Sequence, residues 1–316
     1  MFFLPVRKSM VPTTNSPSDL SDTMNTVTAP TMRHFCFLAL FLTFFSLSAS
    51  AQIGVAPTRV MMTNPERSKE ITLSNPNTTP MVVEAKIVYA LMKSDSNGAM
   101  AYDSVGLGST GRPSCAEWAK VFPKRFTLQP NESRSLRVLL SPPSGVADGE
   151  YLARLIVISE PVARPAPLVV DTTKVVTEIR TRIHTGLPVI FRKGSLSTGI
   201  QFDLVRPSIV PDGIRLLADL YPEGNATYRG TLFAEIFGSD GASVAKADMQ
   251  VGAEMAVLQP FVIPSLNPGV YTLRVDAKPV RMGSAAETVI PAALVTHFYR
   301  LTVASDQVSI APITSN

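Results

Sequence analysis

Cysteine, histidine and tryptophan are scarce in this 316-residue chain, which contains two, three and one of them. Cys115 is the only cysteine beyond residue 51, so that part of the chain cannot form an internal disulfide. Its domains must therefore be stabilised by core packing alone. His184 and His297 lie more than a hundred residues apart, and neither has a second histidine near it in sequence to suggest a metal or catalytic pair.

Clusters of charge and catalytic motifs are also missing. Charged residues make up 17% of the chain, the net charge is +4, and no run of five or more Lys or Arg occurs, so a nucleic-acid partner is not indicated. Gly106, Gly108 and Gly111 spell GxGxxG, but they lie in a polar loop without the strand and helix that a dinucleotide site needs. Asp148 and Glu150 flank a turn, where solvated carboxylates are common. We therefore expect no enzymatic activity, no metal and no cofactor.

Residues 1–51 read as an N-terminal extension followed by a secretory signal. A basic start at Met32–His34 precedes an apolar run at Phe35–Leu47, and small residues follow up to a predicted cleavage near Ala51. The run is too short for a comfortable membrane span. Residues 1–31 fit poorly in a signal, so either Met32 is the true start or the extension is unstructured. Secretion without disulfides favours a bacterial envelope protein in the periplasm.

Short apolar segments with period-two alternation recur along the rest of the chain and are separated by Pro, Gly and Asn. This pattern predicts an all-β protein with two tandem immunoglobulin-like β-sandwich domains at 52–194 and 195–316. Tyr151 and Tyr271 each follow Gly-x at a strand entry, as in the tyrosine corner of such sandwiches. Residues 93–117 read as a polar, Gly-rich excursion.

Several segments resemble, in order, the PapD-like periplasmic chaperones of pilus assembly, closer to their archaic and alternative branches. The similarity covers residues 52–194, and the matching segments are 54–60 (GVAPTRV), 73–76 (LSNP), 122–133 (FPKRFTLQPNES), 148–155 (DGEYLARL) and 186–192 (GLPVIFR). Asn131 stands where the family has Gly. Residues 195–316 depart further from the family and receive no role.

The resemblance implies donor-strand complementation, in which the chaperone lends its last strand to a subunit that lacks one. The donor strand would present one face of the segment that starts at residue 175, namely Val175, Thr177, Ile179, Thr181 and Ile183. The partners implied are pilin or other secreted β-rich subunits and an outer-membrane usher. An ordinary sandwich strand, with its apolar side on its own core, remains the alternative for this segment.

In the family, two basic residues bind the carboxylate at the subunit's C-terminus. The first matches Arg59. The second is a lysine whose position falls near Pro188 here, so we expect Arg182 or Arg180 to replace it. The competing function is a structural or adhesive envelope protein that uses immunoglobulin-like domains without chaperone activity. The two functions differ in whether the 175–189 strand has a free edge and an exposed apolar face.

Overall fold

The structure is a computed structural model that describes residues 52–104, 112–163, 181–281 and 289–313. Within these ranges the regular structure consists of strands and one 3₁₀ turn at Ala116–Trp118. None of the described helical structure is long and apolar enough to cross a membrane. The predicted leader, the GxGxxG glycines and most of the predicted donor segment lie outside the described residues.

Residues 54–193 form the first sandwich. Its strands are β1 (Gly54–Ala56), β2 (Val60–Thr63), β3 (Ser68–Ser74), β4 (Met81–Val88), β5 (Ala90–Ser94), β6 (Met100–Ser104), β7 (Ala119–Phe122), β8 (Arg125–Leu128), β9 (Ser133–Leu140), β10 (Gly149–Pro161) and β11 (Ile183–Lys193). One sheet has the order β1-β3-β9-β7 and the other β2-β11-β10-β4-β8, while β5 and β6 form a separate hairpin.

Residues 198–312 form the second sandwich. Its strands are β12 (Thr198–Val210), β13 (Gly213–Gly224), β14 (Tyr228–Phe237), β15 (Ser243–Ala253), β16 (Val257–Ile263), β17 (Gly269–Pro279), β18 (Val295–Val303) and β19 (Val308–Pro312). A three-stranded sheet, β12-β13-β16, faces a five-stranded sheet, β15-β14-β17-β18-β19. The predicted all-β class with two immunoglobulin-like sandwiches is confirmed by these four sheets.

Period-two alternation explains why each strand has one dry face. In β9, Leu136 and Val138 are fully buried while Arg137 between them is exposed. In β18, Tyr299 and Leu301 are buried and Arg300 is exposed. Because each fully buried large aliphatic side chain contributes about 1.5–3 kcal/mol, these faces hold the sheets together.

A tyrosine corner is present in both sandwiches, as the sequence predicts. The hydroxyl of Tyr151 donates to the carbonyl of Ala147 at 3.0 Å. The hydroxyl of Tyr271 donates to the carbonyl of Asn267 at 2.9 Å. In each case the acceptor lies four residues upstream, so the same local device fixes the turn before a central strand.

The excursion expected at 93–117 is only partly a loop, because β5 and β6 form a hairpin there. Leu91 is fully buried, and the hydroxyl of Ser94 accepts the backbone N–H of Leu258 at 2.7 Å. At the tip, Gly98 has φ +80°, and a side chain there would collide with Pro260 of the second sandwich. Contacts with the other sandwich, which the local sequence does not show, therefore stabilise these strands.

Candidate functional site

The segment at 54–63 contributes one short strand to each of the two sheets of the first sandwich. β1 pairs with β3 in the four-stranded sheet, whereas β2 runs parallel to β11 in the five-stranded sheet. Pro57 follows β1 directly and has no N–H to offer to a ladder, so pairing stops there. The crossover leaves part of β11 without a neighbouring strand on one of its two sides.

The part of β11 that is paired on one side only is its first half. β10 pairs with β11 along its whole length, from Ile183 to Lys193. β2 pairs only with Val189–Arg192, and no other described strand pairs with the edge at 183–188. Backbone N–H and C=O groups on a strand edge are a template for another strand. We call residues 183–188 the open edge.

The side chains of the open edge grade from solvent into the core. Leu187 and Val189 are buried in the first sandwich, Thr185 and Ile183 on the same face are half-buried, and His184 on the opposite face is exposed. The side chain of Gln52 donates to the hydroxyl of Thr185 at 2.6 Å. A guest strand on this edge would therefore extend the hydrophobic core outwards.

Only two of the predicted donor residues lie in the described part of the chain. Ile183 is the first residue of β11, and Thr181 is exposed just before it. Val175, Thr177 and Ile179 lie outside the described residues, so their part in a donor strand stays a prediction. Leu187 and Val189, which continue the same face, pack in the protein's own core.

The structure does not bring Arg59 and Arg182 together. Arg59 directly precedes Val60, whose partner is Val189, so half-buried Arg59 lies beside the Pro188 end of the open edge. Arg182 lies six residues before Pro188, which corresponds to about 20 Å along an extended strand. Its guanidinium donates to Glu160 at 3.0 and 3.3 Å, and this hydrogen bonding raises the pKa of Arg182. One carboxylate therefore cannot contact both arginines.

A buried charge cluster joins the two sandwiches, and the sequence interpretation missed it. Glu150 is not a solvated carboxylate, because it is 2% exposed. Its oxygens lie 2.8 Å from Arg192 Nε on the next strand and 3.2 Å from Arg229 Nη1 of the second sandwich. The backbone N–H of Thr227 donates to it at 3.2 Å. The only hint in the sequence is that 148–155 and 186–192 each carry one of the paired charges.

The ionisation of Glu150 reflects two opposing effects. Burial raises the pKa of its carboxyl, but the charge of Arg229, the hydrogen bond from Thr227 and the charge of Arg192 together lower that pKa below its usual 4.5. The carboxylate is therefore charged at neutral pH. A buried anion with two guanidinium partners has the saturated geometry of a structural site, which leaves it no open position for a ligand.

A second ion pair lies deeper in the same junction. Arg154 is 2% exposed, bonds the carboxylate of Glu254 in the second sandwich and lies over the ring of Tyr102 at 5.1 Å. An apolar group that includes Leu91, Leu152 and Ile190 packs nearby against Met255. The junction is thus both charged and apolar, which makes the second sandwich a support for the sheet that contains β11.

Comparison with known proteins gives matches to solved structures only. No known family model matches the chain, and no curated protein sequence matches it. A chaperone–tip adhesion subunit complex from the archaic Csu pili of Acinetobacter baumannii matches at 13% identity and TM-score 0.39, covering 83% of this chain and 98% of that chain.

Two further matches are single chaperones. The CupB2 chaperone of Pseudomonas aeruginosa matches at 15% identity and TM-score 0.35, covering 78% of this chain and 98% of that one. The Escherichia coli chaperone DraB matches at 16% identity and TM-score 0.36, covering 72% and 92%. The chain is similar to these proteins, but TM-scores below 0.5 do not by themselves assign a function.

Proposed function

We propose that this protein is a periplasmic chaperone that binds pilin or other secreted β-rich subunits by donor-strand complementation. The observation that carries the proposal is the open edge at 183–188, unpaired on one side and continuous with the first sandwich's core. A subunit that lacks a strand has the complementary defect, an unpaired edge beside a hydrophobic groove. The predicted face at 175–183 would extend this edge beyond the sandwich. An outer-membrane usher would then receive the complex.

Arg59 is the better of the two predicted carboxylate anchors. It lies next to the Pro188 end of the open edge, where a guest strand would end, whereas Arg182 lies about 20 Å away, before the other end of that edge. A charge-assisted Arg–carboxylate bond contributes about 1.5–3 kcal/mol, which would fix the register of the guest strand. The proposal therefore assigns the anchor to Arg59 and a support of the strand to Arg182.

The test is a pull-down of the protein from its native periplasm with matched variants. Ile183→Asp places a charge on the face proposed to enter the subunit, and His184→Asp places the same charge on the opposite, exposed face. We expect wild type and His184→Asp to recover a small secreted β-rich protein and Ile183→Asp to lose it. Circular dichroism melting checks that both variants fold.

Recovery of the same partner by all three proteins would reject strand donation. The competing function, a structural or adhesive envelope protein, would then be favoured. In that case β11 is an ordinary sandwich strand, whose Leu187 and Val189 pack in the protein's own core. An Arg59→Ala variant that loses the partner, beside an Arg182→Ala variant that keeps it, would support the single anchor.

A further inference from the structure

The second sandwich carries a cleft on the solvent-facing side of its five-stranded sheet. The cleft has a volume of about 550 Å³, within the range of protein binding sites. Four apolar and two cationic side chains form most of its wall, namely Phe237, Val270, Phe298, Ile313, Arg274 and Arg300. This surface plays no part in the strand donation proposed above.

Strand register explains how these side chains come together. Phe237, Thr272 and Arg300 are opposite one another across β14, β17 and β18. Arg274 and Phe298 are opposite each other one rung further along. Directly opposed side chains in an antiparallel sheet are about 5 Å apart, so cationic and aromatic groups interleave within one small area.

One of the two cations of the cleft wall, Arg274, is balanced by neighbouring carboxylates, and the other, Arg300, is not. Glu235 lies 3.1 Å from Lys246 and 3.0 Å from Arg274, and the hydrogen bond from Lys246 is the main cause of its lowered pKa. Arg300 is exposed and has no hydrogen-bond or ion-pair partner in the described residues. No Asp or Glu is among the described residues that line the cleft. Among the residues that the structure describes, the positive charge of Arg300 in the cleft is therefore uncompensated.

The apolar walls are unusually open to solvent. Val270 is 54% exposed, Phe298 44% and Ile313 41%. Adjacent exposed apolar side chains mark interaction surfaces, and arginine with aromatic residues is the composition enriched where proteins bind each other. Because the walls are exposed, the cleft suits a segment of another protein better than an enclosed small molecule.

We propose that this cleft, the aromatic–arginine cleft, docks a segment of a partner protein that carries an acidic side chain flanked by apolar residues. The carboxylate pairs with Arg300, and the apolar neighbours cover Val270 and Phe298. Phe237 stays in place under Arg274, whose guanidinium carbon lies 5.8 Å from its ring centre. The second sandwich thereby has a binding function of its own, separate from the open edge.

The test uses a phage library of random decapeptides selected on the immobilised wild-type protein and counter-selected on Arg300→Glu. We expect the enriched sequences to share Asp or Glu beside Phe, Leu, Ile or Val. The synthesised peptide is then titrated by fluorescence anisotropy. Arg300→Glu should weaken its binding about tenfold or more, and higher salt should weaken it in the wild type.

Arg125→Glu is the matched control, because it makes the same charge change on an exposed residue of the first sandwich. It should leave the peptide's affinity unchanged, and urea unfolding checks that both variants fold. Enrichment without acidic residues, or equal binding to Arg300→Glu, would overturn the proposal. So would a dimer in sedimentation that Arg300→Glu abolishes, because the occupant would then be a second copy of this chain.

Discussion

Both sandwiches have a corner tyrosine and a dry core, yet the strand that follows the corner strand, β11 in the first and β18 in the second, is covered to a different extent on its outer side. β18 is paired with β17 over Val295–Val303 and with β19 over Tyr299–Val303, and the N–H of Ile313 also donates to the carbonyl of Phe298. β11 of the first is paired with β10 throughout but with β2 only at its far end. The hydrophobic periodicity that builds both cores is the same. What differs is the length of backbone that has no described strand on one side, residues 183–188 in β11 and 295–298 in β18, and the longer of the two is the edge to which we propose that a subunit strand is added.

We expect the largest loss of stability from a substitution in the buried charge cluster that joins the two sandwiches. Glu150→Gln leaves Arg192 and Arg229 without their buried anion, so we expect the free energy of unfolding to fall by about 3–5 kcal/mol. Urea unfolding measures it. Glu70→Gln is the matched control, because Glu70 pairs with Arg137 on the surface and should cost about 0–1 kcal/mol. Equal losses would show that the junction does not couple the halves.

The Glu150→Gln variant also predicts how the stability contribution of Glu150 changes with pH. The pKa of Glu150 is lowered in the folded protein, so its stabilisation is complete above the usual value of 4.5. It disappears as the pH falls below 4.5 and through the depressed pKa. The stability difference between wild type and Glu150→Gln should therefore shrink on acidification below that value. A difference that grows in acid would contradict the assignment.

A smaller loss of stability is expected when either corner tyrosine, the feature that the two sandwiches share, loses its hydroxyl. Tyr151→Phe and Tyr271→Phe each remove one hydrogen bond to a backbone carbonyl, worth about 0.5–1.5 kcal/mol. The loss should be greater for Tyr151, whose hydrogen bond is partly buried, than for Tyr271, whose hydrogen bond is exposed to solvent. Thermal unfolding of the two variants side by side gives the order. The reverse order would mean that burial does not decide how much each tyrosine hydroxyl contributes to stability.

The smallest effect concerns a thiol found only in the first sandwich. Burial raises the pKa of Cys115 to about 12, so the group is a neutral thiol at pH 7. In the protein without residues 1–51, where Cys115 is the one cysteine, a thiol reagent should label nothing in the native state and one group after unfolding. The labelling rate then reports the opening of the first sandwich alone. Rapid native labelling would contradict the burial of Cys115 in the core of the first sandwich.

Much of the fold was predictable because periodicity is a local property. In the segments Ser133–Leu140 and Val295–Val303, apolar residues alternate with polar ones, and both segments form strands. The β5–β6 hairpin was not predictable, because Gly98 at its tip lies against Pro260 and Ser94 bonds the backbone of Leu258, both in the other sandwich. The burial of Glu150 escaped for the same reason, since its partners lie 42 and 79 residues away.

The sequence by itself determined the all-β class, the two corner tyrosines and the alternation that gives β11 one apolar face. These follow from side-chain periodicity and turn residues, which act over a few positions. Only the tertiary structure decided that β2 covers Val189–Arg192 and leaves 183–188 open, and that Arg59 and Arg182 lie at opposite ends of that edge. Which strands pair depends on how the two sheets pack against each other, and this cannot be deduced from the residues of a single segment.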